Sequence, residues 1–117
     1  MIRRFHQQET EVRKNVREGP GEVKIRHYLK REDLNIPCRL CAELMIPLNS
    51  GIGLHEHAGE DEIFLIQRGK GLVIDDGREV EVDAGDAVVT GKGASHAIRN
   101  VGNEELIITV IIVPYAG

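Results

Sequence analysis

The chain has no tryptophan, and its 117 residues include only two phenylalanines and two tyrosines. Rings on which sugars or unpaired bases stack are scarce, which speaks against a lectin-like or RNA-binding role. An excess of positive charge is missing too: 15 Lys and Arg stand against 19 Asp and Glu, interspersed, for a formal net charge of −4. A surface built for nucleic acid or an anionic membrane needs the opposite balance. No apolar run approaches membrane-spanning length, and the basic start, Met1 to Gln7, is followed by no apolar stretch of the secretory kind. The expectation is a cytoplasmic protein with neither a membrane nor a nucleic-acid partner.

Cysteine is sparse as well. Cys38 and Cys41 have the spacing of redox pairs at helix starts and of half a zinc site, but no second pair exists to complete such a site. Their flanks read as a strand, in which residues three apart face opposite sides, so no disulfide between them is expected.

What the sequence does contain is short segments of strand composition punctuated by Gly, Pro and Asp, with no sustained helical period. The length suits one domain that buries roughly two-thirds of its unfolded surface. Residues 1–21 are polar and end in the turn cluster Glu18-Gly19-Pro20-Gly21, so they are set apart as an N-terminal arm, loose or packed on a partner, with the folded domain over 22–117. Nine strands are expected, at 23–29, 39–46, 53–57, 62–67, 71–74, 78–82, 87–90, 95–99 and 105–113. So many short strands at near-regular spacing make an all-β antiparallel sandwich or barrel.

Asp75-Asp76-Gly77 is a hairpin signal, because a tight turn needs the positive φ that Gly and Asp tolerate. Val80 and Val82 are then expected inside, with Glu79 and Glu81 in water. The last strand is apolar on both faces: Leu106, Ile108, Val110 and Ile112 on one, Ile107, Ile111 and Val113 on the other. A strand of that kind is buried on both sides, so the surplus face predicts a second copy and hence a homodimer.

Five histidines are present, and two of them, His55 and His57, lie one residue apart. In a strand they project from one face about 7 Å apart and can aim at a single point. Glu60, Asp61 and Glu62 follow, and Glu62 is preferred as a partner because its face then carries Phe64 and Ile66, an apolar inner wall. His96 points inward with Ala94 and Ile98 by the same reasoning. His6 and His27 have no partner at ligand spacing and read as surface or internally satisfied residues. Arg39, Cys41, Glu43 and Met45 share one face of a strand. If that face looks inward, Glu43 and Arg39 are acid/base or substrate-contacting candidates; if not, they meet solvent or a partner.

Two segments resemble the motifs of the cupin family. His55-x-His57, four residues, Glu62, six residues and Gly69 is similar to the first motif; Gly85, seven residues, Gly93, two residues, His96, three residues and Asn100 is similar to the second. The resemblance covers roughly residues 40–114 and implies a double-stranded β-helix, or jelly roll, with one divalent metal per chain held by His55, His57, Glu62 and His96. Two positions depart from the pattern. Gly91 stands where proline is usual, and Asn49 where a glycine is expected, with Gly51 and Gly53 taken to supply the turn.

Three imidazoles and a carboxylate suit Mn, Fe, Ni, Zn or Cu, and on an octahedral ion they leave two positions open. The ion and Glu62 together carry a formal charge of +1, which favours a small anionic or enolisable ligand. A dioxygenase, isomerase or lyase is implied, with a non-catalytic binding or sensing module as the alternative. Some similar small cupins are named as sugar-phosphate isomerases, but no cluster of Lys or Arg near the metal is evident for a phosphosugar.

Overall fold

The computed structural model describes residues 1–115. Among them the chain forms ten strands: β1 Thr10–Lys14, β2 Glu22–Leu29, β3 Leu40–Ile46, β4 Gly51–Glu56, β5 Glu60–Arg68, β6 Lys70–Asp75, β7 Arg78–Asp83, β8 Ala87–Thr90, β9 Ser95–Asn100 and β10 Leu106–Pro114. All pairings are antiparallel, in a six-stranded sheet of order β1-β2-β3-β10-β5-β8 and a four-stranded sheet of order β4-β9-β6-β7. The two sheets face each other as a jelly roll, the all-β fold expected from the sequence.

The core follows from strand alternation. Ala42, Leu44 and Ile46 from β3, Phe64 and Ile66 from β5, and Leu106, Ile108, Val110 and Ile112 from β10 meet Val73, Val82 and Ile98 of the smaller sheet. Burying each of the larger aliphatic side chains contributes about 1.5–3 kcal/mol. β10 lies between β3 and β5, and its outer residues Ile107, Ile111 and Val113 are only half-buried within one chain.

Each of the nine expected strands is present, with ends shifted by no more than two residues. β6 and β7 pair from Asp75 opposite Arg78, and Asp76 and Gly77 take φ of 47° and 90°, the geometry of a tight hairpin turn. Val80 differs from expectation. It is 41% exposed while Val82 is 6% exposed, because β7 is a sheet edge and an open hollow lined by Val80, Val82, Val88 and Val89 lies beside it.

Two local features position the site. β1, inside the segment set apart as an arm, pairs with β2 from Thr10 opposite Arg26 to Lys14 opposite Glu22. The chain then turns tightly through Val16–Glu18 and packs on β4. Within that turn Asn15, Arg17 and Glu18 all have positive φ, 49°, 51° and 63°. At the other corner Asn49 itself supplies the left-handed turn, φ 60°, which the sequence reading gave to Gly51 and Gly53. Asparagine tolerates that region better than most residues. Gly51 and Gly53 instead lie within β4, where a β-carbon on Gly53 would collide with the Arg17 carbonyl oxygen.

Candidate metal centre

His55 and His96 are direct partners across the β4–β9 ladder, and Ile52 and Ile98 are the next inward pair. Two residues separate Ile52 from His55 where one separates Ile98 from His96, so β4 carries a one-residue bulge at Gly53–Leu54. The bulge puts both Ile52 and His55 on the inner face, which strict alternation forbids. His57 lies just past the end of β4, held by its backbone N–H to the Ala94 carbonyl (3.0 Å) and by its carbonyl to Gly93 N–H (2.9 Å). Glu62 is on β5, opposite Thr90 of β8 and Ile112 of β10, and shares the inner face with Phe64 and Ile66.

The four side chains converge. His55 Nε2 lies 2.9 Å from His57 Nε2, and His96 Nε2 is 3.1 Å from each of them. Glu62 Oε1 is 3.0 Å from His57 Nε2 and 2.7 Å from His96 Nε2. His57, Glu62 and His96 are buried, and His55 is half-buried at the open side.

The second nitrogen of each ring has its own acceptor. His55 Nδ1 donates to the Gly53 carbonyl (2.8 Å), His57 Nδ1 to Glu60 Oε1 (3.1 Å) and His96 Nδ1 to Thr90 Oγ1 (2.8 Å). A proton placed at Nδ1 of each ring satisfies these contacts and leaves three Nε2 lone pairs aimed at one point. Burial, the largest influence on His55, lowers its pKa and so favours the neutral ring.

Such a cluster fits a cation. Three lone pairs about 3 Å apart repel one another, and Glu62 Oε1 is buried with no hydrogen-bond donor among the described residues. Donors about 2.1 Å from a common ion lie about 3.0 Å apart at octahedral angles and about 3.4 Å apart at tetrahedral ones. The observed spacings match the octahedral case, in which other positions stay open. The ring of His96 also stacks on Phe64, centroids 5.2 Å apart, which fixes its plane.

Beside the cluster is a cavity of about 130 Å³. His55, His57 and Glu62 form one wall, Leu44, Ile52, Val110 and Ile112 are among the apolar residues lining it, and Arg13, Arg17 and Arg39 complete it. Arg13 and Arg17 come from the N-terminal segment. The basic cluster not evident in the sequence is therefore present in space, assembled from residues 22 or more positions apart on the two sides. Arg39 reaches Glu60 by two bonds of 2.9 Å, Nε to Oε2 and an Nη to Oε1, and this pairing chiefly holds the Glu60 carboxyl below the ordinary carboxylate range. Arg39, Glu60 and His57 thus form a chain that orients one member of the cluster.

Glu43 is not part of the site. Ala42, Leu44 and Ile46 take the inner face of β3, leaving Cys41, Glu43 and Met45 on the outer face of the six-stranded sheet. There Glu43 accepts a hydrogen bond from Tyr28 (2.8 Å) and pairs with Arg26 (2.9 Å). His27 pairs with Glu11 at 3.0 Å and His6 is exposed, so neither joins the cluster. Cys38 and Cys41 are free thiols.

A family model described as a cupin domain matches residues 42–112. The chain belongs to the cupin family. It is 41% identical over 99 residues to an oxalate-binding protein of Thermotoga maritima, a match covering 85% of this chain and 82% of that one. Its fold superposes with a TM-score of 0.93 on a crystal structure described as a predicted oxalate decarboxylase from Thermotoga maritima, at 38% identity, covering 98% of this chain and all of the other. The polyketide cyclase RemF of Streptomyces resistomycificus shares the fold at a TM-score of 0.74 and 18% identity, over 97% of this chain and 80% of that one.

In this cupin the unusual glycine of the second motif has a local cause. Tyr115 donates to Asp61 Oδ1 (2.5 Å) and accepts from Lys92 N–H (2.9 Å), directly over Gly91. A β-carbon at position 91 would collide with Asp61 Oδ1 and stand 2.6 Å from the Tyr115 oxygen. Proline and the Asp61–Tyr115 pair exclude each other here.

Proposed function

We propose that this cupin holds one divalent transition metal through His55, His57, Glu62 and His96 and uses it to bind a small dicarboxylate of the oxalate class. The observation that carries the reading is the convergence of three Nε2 lone pairs and a buried carboxylate oxygen beside a small cavity that three arginines help to line. The relative at 41% identity is named an oxalate-binding protein, which supports the same ligand class. When bound, the ion supplies positive charge at which two oxygens of one anion can be held. The chain's own residues do the rest: Glu60 and Thr90 fix the rings, and the arginines attract the anion. At about 130 Å³ the cavity is well below the roughly 300–1,000 Å³ of sites for drug-sized ligands, so it selects a ligand of few atoms.

Binding is favoured over proton-transfer catalysis. Decarboxylating a dicarboxylate leaves a carbanion that must be protonated, and isomerisation moves a proton between carbons. Beyond the cluster itself, the titratable groups lining the cavity among the described residues are arginines, whose guanidinium stays charged. Glu60 is engaged by both Arg39 and His57. The apolar walls do suit O₂ chemistry, so a dioxygenase is the alternative reading. The test is metal analysis followed by thermal denaturation with and without oxalate. Oxalate at 100 times its Kd should stabilise the metal-loaded protein by about 2.7 kcal/mol and leave the metal-free protein unmoved. No shift in the loaded protein counts against the reading, and oxygen uptake with loss of oxalate favours the alternative.

For assembly we propose a homodimer formed through the outer face of the six-stranded sheet. Met45 of β3, Ile63 and Leu65 of β5, and Ile107 and Ile111 of β10 adjoin one another there, with Val89 of β8 63% exposed beside Ile63. A contiguous apolar face of this kind is covered when a second copy packs on it.

A further inference from the structure

We infer that the turn from Arg13 to Glu18 is a strap that completes the ligand site, with Arg13 and Arg17 binding the outer carboxylate of a dicarboxylate and so selecting dianions over monoanions. The inference rests on the reading that a small dicarboxylate occupies the cavity, and it assigns the groups that recognise its second charge.

Three observations carry it. Arg13, Val16 and Arg17 line the same cavity as His55, His57 and Glu62, so the strap forms a wall that the jelly roll does not itself provide. Arg17 is also the least committed of the three arginines. Arg39 is held bidentately by Glu60, and Arg13 pairs with half-buried Glu11, whereas Arg17 makes no salt bridge among the described residues. A guanidinium without a salt-bridge partner, on a residue that lines the cavity, is suited to a carboxylate brought by a ligand, which it can grip with two parallel N–H bonds.

The third observation is backbone conformation. Asn15, Arg17 and Glu18 are all left-handed within four residues, a strained arrangement that persists only where surrounding contacts impose it, as ligand clamps do. The contacts are present. Asn15 N–H donates to the Gly21 carbonyl (2.9 Å), the Asn15 side-chain amide to the Gly19 carbonyl (3.1 Å), and the Arg17 carbonyl packs on the bare α-carbon of Gly53. Gly53 is also the residue whose carbonyl orients His55. One glycine therefore seats the strap and aims a member of the cluster, which fixes the arginines relative to the point where the anion's inner oxygens are held.

The test uses the full-length metal-loaded protein, titrated calorimetrically with oxalate as the dianion and glycolate as the monoanion. Arg17→Gln should weaken oxalate about tenfold and Arg13→Gln/Arg17→Gln about a hundredfold, with glycolate changed less than about twofold. Metal content should equal that of the wild type. Arg17→Lys, which keeps the charge and loses the fork, should fall between. Unchanged oxalate affinity in the metal-loaded double variant overturns the strap and leaves the dicarboxylate reading standing. Equal losses for oxalate and glycolate also overturn it, because they report general attraction rather than recognition of a second carboxylate. A loaded wild-type protein that binds neither anion overturns both.

Discussion

At the scale of residues, the cluster depends on groups one bond removed from it. Thr90 is 1% exposed and its hydroxyl is the acceptor that holds His96 Nδ1. Thr90→Val keeps the shape of the side chain and removes that acceptor, so metal affinity should fall about 10–100-fold with the fold intact, as read by competition with a chelator. The same assay gives the pH dependence. Metal binding needs neutral rings, so protons compete with the ion and retention declines as pH drops below about 6.5. Burial lowers the pKa of His55, which therefore resists protonation longer than an ordinary histidine. Metal kept at pH 4 against chelator would contradict the assignment. The four clustered residues were legible in the sequence because strand alternation groups neighbours by face and because their spacing resembles the two cupin motifs. Arg13 and Arg17 were not, because nothing local reveals that a polar segment folds back over His55. The face of Glu43 was left open for a related reason: alternation separates the two faces of β3, and only the packing of Ala42 and Leu44 says which one is inside.

At the scale of elements, nine of the ten strands were legible from alternation and from turn residues between them. β1 was not, since an edge strand that contributes nothing to the core needs no apolar face, and Thr10, Glu11, Val12, Arg13 and Lys14 show none. The β4 bulge was also invisible, because inserting one residue leaves no mark in composition. Connections between strands carry specific demands, and the one at Gly91 can be tested. Gly91→Ala should lower stability by about 1–3 kcal/mol through overlap with Asp61 and Tyr115. The same substitution in an Asp61→Ala/Tyr115→Phe background should cost much less. Chemical denaturation of the four proteins measures the difference, and equal losses in both backgrounds would show that the crowding is not the cause.

At the scale of the whole molecule, the two sheets do different work: their inner faces make the core and the cluster, while the outer face of the larger sheet keeps an apolar surplus. If that surplus is the dimer contact, light scattering should give twice the chain mass for the wild type and a single chain mass for Val89→Lys/Ile111→Lys, with metal content unchanged. A monomeric wild type would sink the proposal. Among the described residues no helix is long and apolar enough to cross a membrane. The first strand has a consequence of a different kind. By pairing along Glu22–Arg26, β1 occupies the hydrogen-bonding edge of β2, whose Val23 and Ile25 are rooted in the core. Were that edge bare, its row of open amides would template a foreign strand, the first step of sheet-to-sheet aggregation. β1 presents instead a short rim bearing Glu11, Arg13 and Lys14. β1, which leads into the segment proposed to close the ligand site, is thus also placed to keep that edge from pairing with another chain.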